Sequence, residues 1–331
     1  MLHSFASRIN RVFAVAAAFA AVVVVQSGCV SAADANEKAC DRKPLKVLMI
    51  GNSFSKCVLA EMPGVCRDLG LKLDLCSLFI GGCPLETHVS NLTANVKRYH
   101  VTWNYCGRTD RGAVPFGDIL DDAQAGSGAK RNLLRSMIAA DRWDVVTIQQ
   151  ASPCSWRPDT YEPYGSQLIA AVRELAPQAR IYVQQTWSYT PICPRLKKWG
   201  IDERAMYRDI VAAYAGFAGR HGLPLIRTGE AIDRFRRELP VAFKPNEASL
   251  DDLVGNGVSV EIGGTEPKVK GDTTHLNKRG QFMQALVWTA TLFGADVRKS
   301  AYLPEYMEKI PAEAALMRRI AFEVSNAEAG F

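Results

Sequence analysis

The chain has no CxxC pair and no cluster of cysteine with histidine, which removes the usual sequence basis for a zinc site. It has no internal repeat with a period of tens of residues, so solenoid and propeller architectures are excluded. It has no strong charge of one sign. The net charge is +6 over 331 residues, and the basic residues are scattered rather than banded, which leaves no footprint for nucleic acid. Beyond residue 25 no stretch is apolar enough to cross a membrane, and no long apolar segment offers a lid for a lipid site. No linker-like stretch divides the chain. What remains is an ordinary globular composition, 48% apolar and 22% charged, sufficient for a buried core.

Residues 1–32 stand apart. Arg8 and Arg11 precede an apolar run over residues 12–25, and small residues follow in Gln26-Ser-Gly-Cys-Val-Ser-Ala-Ala33. This is the layout of a bacterial secretory signal, with cleavage expected after Ala32. Cys29, preceded by Ser27-Gly28, offers lipid attachment as a second reading, and a retained anchor helix is a third. The expected location is therefore outside the cytoplasm, periplasmic or secreted, with membrane contact only through lipid on Cys29. Losing Arg8 and Arg11 with the leader lowers the net charge to +4.

Nine cysteines minus Cys29 leave Cys40, Cys57, Cys66, Cys76, Cys83, Cys106, Cys154 and Cys193. An even number in an oxidising compartment permits disulfides, and buried free thiols are the alternative.

Short apolar runs alternate with helical patterns across the mature chain. Strands are expected over residues 46–50, 71–80, 143–149, 180–185 and 223–227. The helical spacing over 55–70 contains Pro63, which predicts two pieces or a late start. Further helices are expected over 86–99, 132–140, 164–175, 202–221, 230–239, 278–293 and 311–324, and residues 101–105 offer one more strand. Residues 112–128 read as loop. A hairpin insertion is expected near 255–271, around Gly263-Gly264. Strands alternating with helices predict one α/β domain over residues 33–331, a three-layer α/β/α sandwich on a mostly parallel five-stranded sheet.

The first strand runs directly into Gly51-Asn52-Ser53. Ligand chemistry in parallel sheets sits beyond the carboxyl ends of the strands, so Ser53 stands where a nucleophile would. A serine hydroxyl needs a base. Asp272 and His275, three residues apart just before a helix, supply one: the imidazole takes the serine proton and the carboxylate orients the ring. Acyl transfer also needs donors for the developing oxyanion. The Ser53 N–H is one candidate. The N–H of Gly82, after the second strand, is another, with Gly81 as the alternative, and a side-chain amide from Gln149 or Gln150, after the third strand, is a third.

These blocks, Gly51-Asn-Ser-Phe54, Gly82, the polar turn after strand three and Asp272-Thr-Thr-His275-Leu-Asn, resemble the SGNH (GDSL-like) hydrolase superfamily over residues 45–293. More narrowly, they resemble its DUF4886-like secreted bacterial members. The resemblance implies a flavodoxin-like sheet, a Ser53–His275–Asp272 triad and esterase activity without a cofactor. The third block of the superfamily usually holds an asparagine, and here it reads Gln149-Gln-Ala-Ser-Pro153, so a glutamine is expected to substitute. Asn52, Trp156, Trp187 and His88 are candidate substrate contacts, the two tryptophans as faces for a sugar ring. The expected substrate is a small-molecule or glycan ester, an O-acetyl ester on carbohydrate in particular. A lysophospholipase or thioesterase, or a silent carbohydrate-binding protein of the same fold, are the alternatives.

Overall fold

A computed structural model describes residues 43–106, 133–239, 252–261 and 268–327. The leader with Cys29, the lead-in with Cys40, the loop over 112–128 and the Gly263-Gly264 hairpin tip lie outside the described residues.

The apolar run Leu45–Gly51 forms β1, whose last five residues are buried. It lies between two parallel partners, as a strand apolar on both faces must. Past it, the chain makes a one-turn helix, α1 (Ser53–Lys56), a 3₁₀ turn (Cys57–Leu59) and α2 (Met62–Asp68). Pro63 sits in the first turn of α2, where its missing N–H costs nothing, so the expected helix is two pieces. β2 (Leu73–Phe79) pairs parallel with β1. α3 (Leu85–Ala94) ends five residues sooner than its pattern suggests, because Asn95 adopts the left-handed conformation at its C-cap.

β3 (His100–Cys106) pairs antiparallel with β2 at the sheet edge. After α4 (Leu134–Ile138) come β4 (Val145–Ile148), α5 (Tyr164–Leu175) and β5 (Arg180–Gln184). The sequence pattern did not announce α6 (Pro194–Trp199), whereas α7 (Glu203–His221) begins at the capping carboxylate of Asp202 and ends at Gly222, as its pattern foretells. β6 is only Leu225–Ile226, since Pro224 has no N–H to give the ladder. α8 (Thr228–Glu238), the hairpin β7 (Val254–Glu261) and β8 (Lys268–Leu276), α9 (Lys278–Phe293) and α10 (Pro311–Asn326) complete the chain.

The main sheet runs β3-β2-β1-β4-β5-β6, all parallel except β3. Numbering the parallel strands alone gives 2-1-3-4-5, the doubly wound flavodoxin-like order. The five-stranded parallel core is thus present and carries one antiparallel edge strand. Helices α3, α4 and α5 pack together, as do α2, α8, α9 and α10, giving the three-layer α/β/α arrangement. α9 is buried over most of its circumference, with Gly280, all residues from Phe282 to Ala290, and Leu292 buried, and α2, α8 and α10 around it. The strand order reverses between β1 and β4, and in such sheets ligands occupy the crevice at that switch point. Gly51-Asn52-Ser53 leaves one side of it and Gln149-Gln150 the other.

Among the described residues, Cys57, Cys66, Cys76, Cys83, Cys154 and Cys193 are free thiols, all buried except the half-buried Cys154. The disulfide expectation fails for these six. Cys66, Cys76 and Cys193 lie in the apolar core, where a thiol packs as a small apolar group.

Candidate active site

The turn after β1 is closed by Asn52. Its Oδ1 accepts the Phe54 N–H at 3.0 Å, and its backbone carbonyl accepts the N–H groups of Ser55 and Lys56, both at 3.1 Å, and the Ser55 hydroxyl at 2.9 Å. This is an N-cap, and it puts Ser53 in the first position of α1. Gly51 is required there, because a Cβ on it would stand 2.3 Å from Ser55 Oγ. None of the hydrogen bonds among the described residues uses the Ser53 N–H, as expected for the first amide of a helix.

β8 delivers the other two residues. Asp272 and His275 lie in the strand itself rather than on a turn between hairpin and helix. In a regular strand, residues three apart face opposite ways. Here Asp272 Oδ1 accepts the N–H groups of Thr274 at 2.8 Å and His275 at 3.1 Å, which curls the strand end into a side-chain-closed turn. Asp272 Oδ2 then accepts from His275 Nδ1 at 2.7 Å, and the Ser53 hydroxyl lies 2.8 Å from His275 Nε2. A carboxylate only accepts, so Nδ1 carries the ring proton and Nε2 is left to accept from Ser53. Partial burial works against the Asp272 charge, yet the bonds from the His275 ring and from the Thr274 and His275 amides hold its carboxyl well below the usual carboxylate range. The His275 and Asp272 side chains remain 35% and 36% exposed, open to an incoming ligand.

Three residues that sequence reasoning did not identify as supports lock this arrangement. Trp187 stacks on Phe54 with ring centroids 4.2 Å apart and an 11° tilt, and its Nε1–H donates to the Thr274 carbonyl at 2.9 Å. It therefore ties the residue after Ser53 to the residue before His275. Gln184, at the end of β5, and Gln284, in α9, each donate Nε2–H to the Phe54 carbonyl at 2.9 Å. The polar end of the fourth expected strand hinted at Gln184. Nothing distinguishes Gln284 from any other helical glutamine.

Of the expected oxyanion donors, Ser53 N–H and Gly82 N–H have no partner among the described residues, and Gly82 sits in an exposed turn at φ +62°. Asn52 Nδ2 donates to the Cys83 carbonyl at 3.1 Å, which ties the Gly82 turn to the Ser53 turn. Gln149 is buried, and its Nε2 donates to Asn52 Oδ1 at 2.6 Å, so it supports the cap. Gln150 is engaged elsewhere. Its Oε1 accepts from the Leu85 and Ala151 amides, and its Nε2 donates to Thr160, so this amide holds the loop after β4 instead of facing the crevice.

Three expected substrate contacts are buried and cannot touch one. Asn52 is the cap itself. Trp187 is 0% exposed, a core ring rather than a rim. His88 is also 0% exposed, with Nδ1 2.8 Å from the Tyr99 hydroxyl, because α3 turns that face into the core. Trp156 is half-buried and borders an open cleft of about 510 Å³ with Arg157, Asp159, Asp209 and Ala213, none of them triad residues. No group of three or more His, Cys, Asp or Glu side chains among the described residues could hold a metal ion.

The sequence profile of a family described as "Domain of unknown function (DUF4886)" matches residues 46–236. That span includes Ser53, Gly82, Gln149 and Gln184 but stops short of Asp272, His275 and Gln284. Among solved structures, a DUF4886 family protein from Bacteroides uniformis superposes with a TM-score of 0.65 at 23% identity, over 85% of this chain and 95% of that one. A candidate SGNH hydrolase from Slackia heliotrinireducens gives a TM-score of 0.47 at 19% identity, over 76% and 100%. No curated protein matches.

Proposed function

This chain belongs to the DUF4886 family, and from that premise and the geometry above we propose that it is a serine hydrolase acting on carboxylic esters. The observation that carries the reading is the unbroken chain Ser53 Oγ to His275 Nε2 at 2.8 Å and His275 Nδ1 to Asp272 Oδ2 at 2.7 Å. Serine, imidazole and carboxylate in that order are the parts of two-step acyl transfer. His275 Nε2 takes the Ser53 proton as Oγ attacks the ester carbonyl. The carbonyl oxygen gains negative charge and is held by the N–H groups of Ser53 and Gly82. His275 returns the proton to the departing alkoxide, leaving an acyl group on Ser53. Water, deprotonated by His275, then attacks the acyl group and frees Ser53. Asp272 keeps the proton on Nδ1 and stabilises the imidazolium in both steps.

The finer reading is a short acyl group, an O-acetyl ester on carbohydrate. The lack of a long apolar lid segment in the sequence supports it, whereas Trp156 borders a cleft without triad residues and lends it nothing. Trp187, being core, lends it nothing. The leader pattern over residues 1–32 supports export, for which the mature protein begins at Ala33 or carries lipid on Cys29. Turnover of p-nitrophenyl esters of rising chain length tests the reading. Acetate should be the best substrate and Ser53→Ala should abolish the activity; a preference for long chains contradicts the acetyl reading, and unchanged turnover by Ser53→Ala contradicts the hydrolase.

A further inference from the structure

Two buried glutamines converge on one backbone oxygen beside the nucleophile. Gln184 and Gln284 come from different elements, β5 and α9, and both are 0% exposed. Each donates Nε2–H to the Phe54 carbonyl, and each leaves its own Oε1 buried without a partner among the described residues. Unpaired buried carbonyls are costly, so an arrangement that accepts two of them to place two donors on one oxygen calls for a reason beyond packing.

The backbone supplies that reason. Phe54 C=O and Ser55 N–H belong to one peptide group, and Ser55 N–H donates to the Asn52 carbonyl at 3.1 Å. Asn52 C=O and Ser53 N–H belong to the next peptide group. The bonds therefore form a relay: glutamine amides to Phe54 C=O, Ser55 N–H to Asn52 C=O, and Ser53 N–H to the oxyanion. Hydrogen bonds in series polarise one another, by about 10–30% per bond, and more effectively in a low-dielectric interior. Two donors at the far end of the relay make the N–H at the near end more positive. They also fix the peptide planes that aim it. Asn52 C=O takes the Lys56 N–H and Ser55 hydroxyl as well, which adds to the polarisation of the same peptide group.

We propose that Gln184 and Gln284 are positioning residues for the oxyanion donor: they orient and polarise the Ser53 N–H through the Phe54 and Asn52 peptide groups. The inference rests on the hydrolase reading above. It assigns the two glutamines an effect on the charged tetrahedral state and none on ground-state binding.

The test uses the full chain, Gln184→Met and Gln284→Met singly, and the double variant. Methionine keeps the volume and removes the donor. The probes are p-nitrophenyl acetate and phenylboronic acid, whose anionic serine adduct presents a hydroxyl to the oxyanion donors. In each single variant kcat should fall about tenfold, less than the loss from removing an oxyanion donor outright, with KM within about twofold. The dissociation constant of phenylboronic acid should rise in parallel, the double variant should lose more than either single, and the amide proton of Ser53 should move upfield. Each single variant leaves Phe54 one donor, so the comparison stands even if the double variant does not fold. Single variants with kcat within twofold of wild type overturn the inference, as does a loss confined to KM or one without weaker phenylboronic acid binding. Wild-type protein that neither turns over the ester nor binds phenylboronic acid overturns the hydrolase reading as well, whereas an active wild type with unaltered variants overturns this inference alone.

Discussion

At the scale of single residues, environment decides which of two chemically equal groups can work. His275 and His88 are both imidazoles with a partner on Nδ1. His275 has a carboxylate there, a serine on Nε2 and a third of its surface open. His88 has a tyrosine hydroxyl, no exposed surface and a buried Nε2 without a partner among the described residues. Burial pushes the His88 imidazole down from 6.5 to about 4. In the unfolded chain this histidine protonates below pH 6.5, while in the folded protein it stays neutral until about pH 4. Its burial therefore costs nothing above pH 6.5 and destabilises the fold progressively as the pH falls from there towards 4. By pH 5 the loss amounts to roughly 2 kcal/mol. Urea unfolding of wild type and His88→Phe at pH 7 and pH 5 should show that extra loss in wild type only; equal losses contradict it. Ser53, His275 and Asp272 were legible in the sequence because short motifs name them. The supporting bonds of Gln284 and Trp187 were not, and Gln184 was only hinted at by the polar end of its strand, because a buried amide or indole is recognisable only from the carbonyl that it reaches. The burial of His88 is not legible, because one histidine in an amphipathic helix does not tell which face turns inward.

At the scale of elements, the hairpin carries two of the three candidate triad residues. β7 and β8 pair antiparallel with register shifts between Val254 and Asn256 and between Asn256 and Ser259. Such bulges re-aim side chains next to functional sites. Gly271, immediately before Asp272, has φ +88°, and a Cβ on it would stand 2.3 Å from the Gly257 carbonyl oxygen. The two strands touch backbone to backbone at the point where Asp272 leaves the ladder. Gly271→Ala should cost roughly 2 kcal/mol from backbone strain and displace Asp272. Thermal unfolding should show the lower stability, and ester turnover should fall more than tenfold in protein that is still folded; unchanged turnover contradicts the hairpin as the positioning element. The sequence announced a hairpin with a glycine pair. It did not announce that β8 continues through Leu276, since Asp-Thr-Thr-His before a helix has the composition of a turn, and the turn is in fact superimposed on the strand end by the Asp272 side chain.

At the scale of the whole molecule, one buried ion cluster joins the hairpin root to the helical layers. Arg236 of α8 makes paired bonds with the two Asp252 oxygens, both at 2.9 Å, and reaches Glu203 of α7 at 2.8 Å and the Ser188 hydroxyl at 2.7 Å. The Asp252 carbonyl accepts from Asn277 Nδ2 at 2.7 Å, and Asn277, two residues after His275, caps α9. Removing one partner from a buried cluster strands the opposite charges. Arg236→Met should therefore lose roughly 3–5 kcal/mol of stability. Arg204→Met, at an exposed guanidinium 3.7 Å from Glu203 and Asp233, should lose less than about 1 kcal/mol. Comparable losses in the two variants by chemical unfolding contradict the assignment. The parallel sheet was readable because each of its strands is a contiguous apolar run ending in a polar turn. The edge strand β3 answers to the expected run over residues 101–105, whereas helix α6, six residues long, lacks such periodicity, and the six free thiols sit apart from one another although an even cysteine count permits pairing.

The central claim is that Ser53 is a nucleophile activated by His275 and Asp272, and covalent labelling tests it most directly. The protein is treated with a fluorophosphonate, digested and read by mass spectrometry. The adduct should sit on the peptide carrying Ser53, be absent from Ser53→Ala and form far more slowly on Asp272→Asn, whose amide would turn the His275 proton onto Nε2. An unlabelled Ser53, or labelling that survives unchanged in Ser53→Ala, contradicts the account.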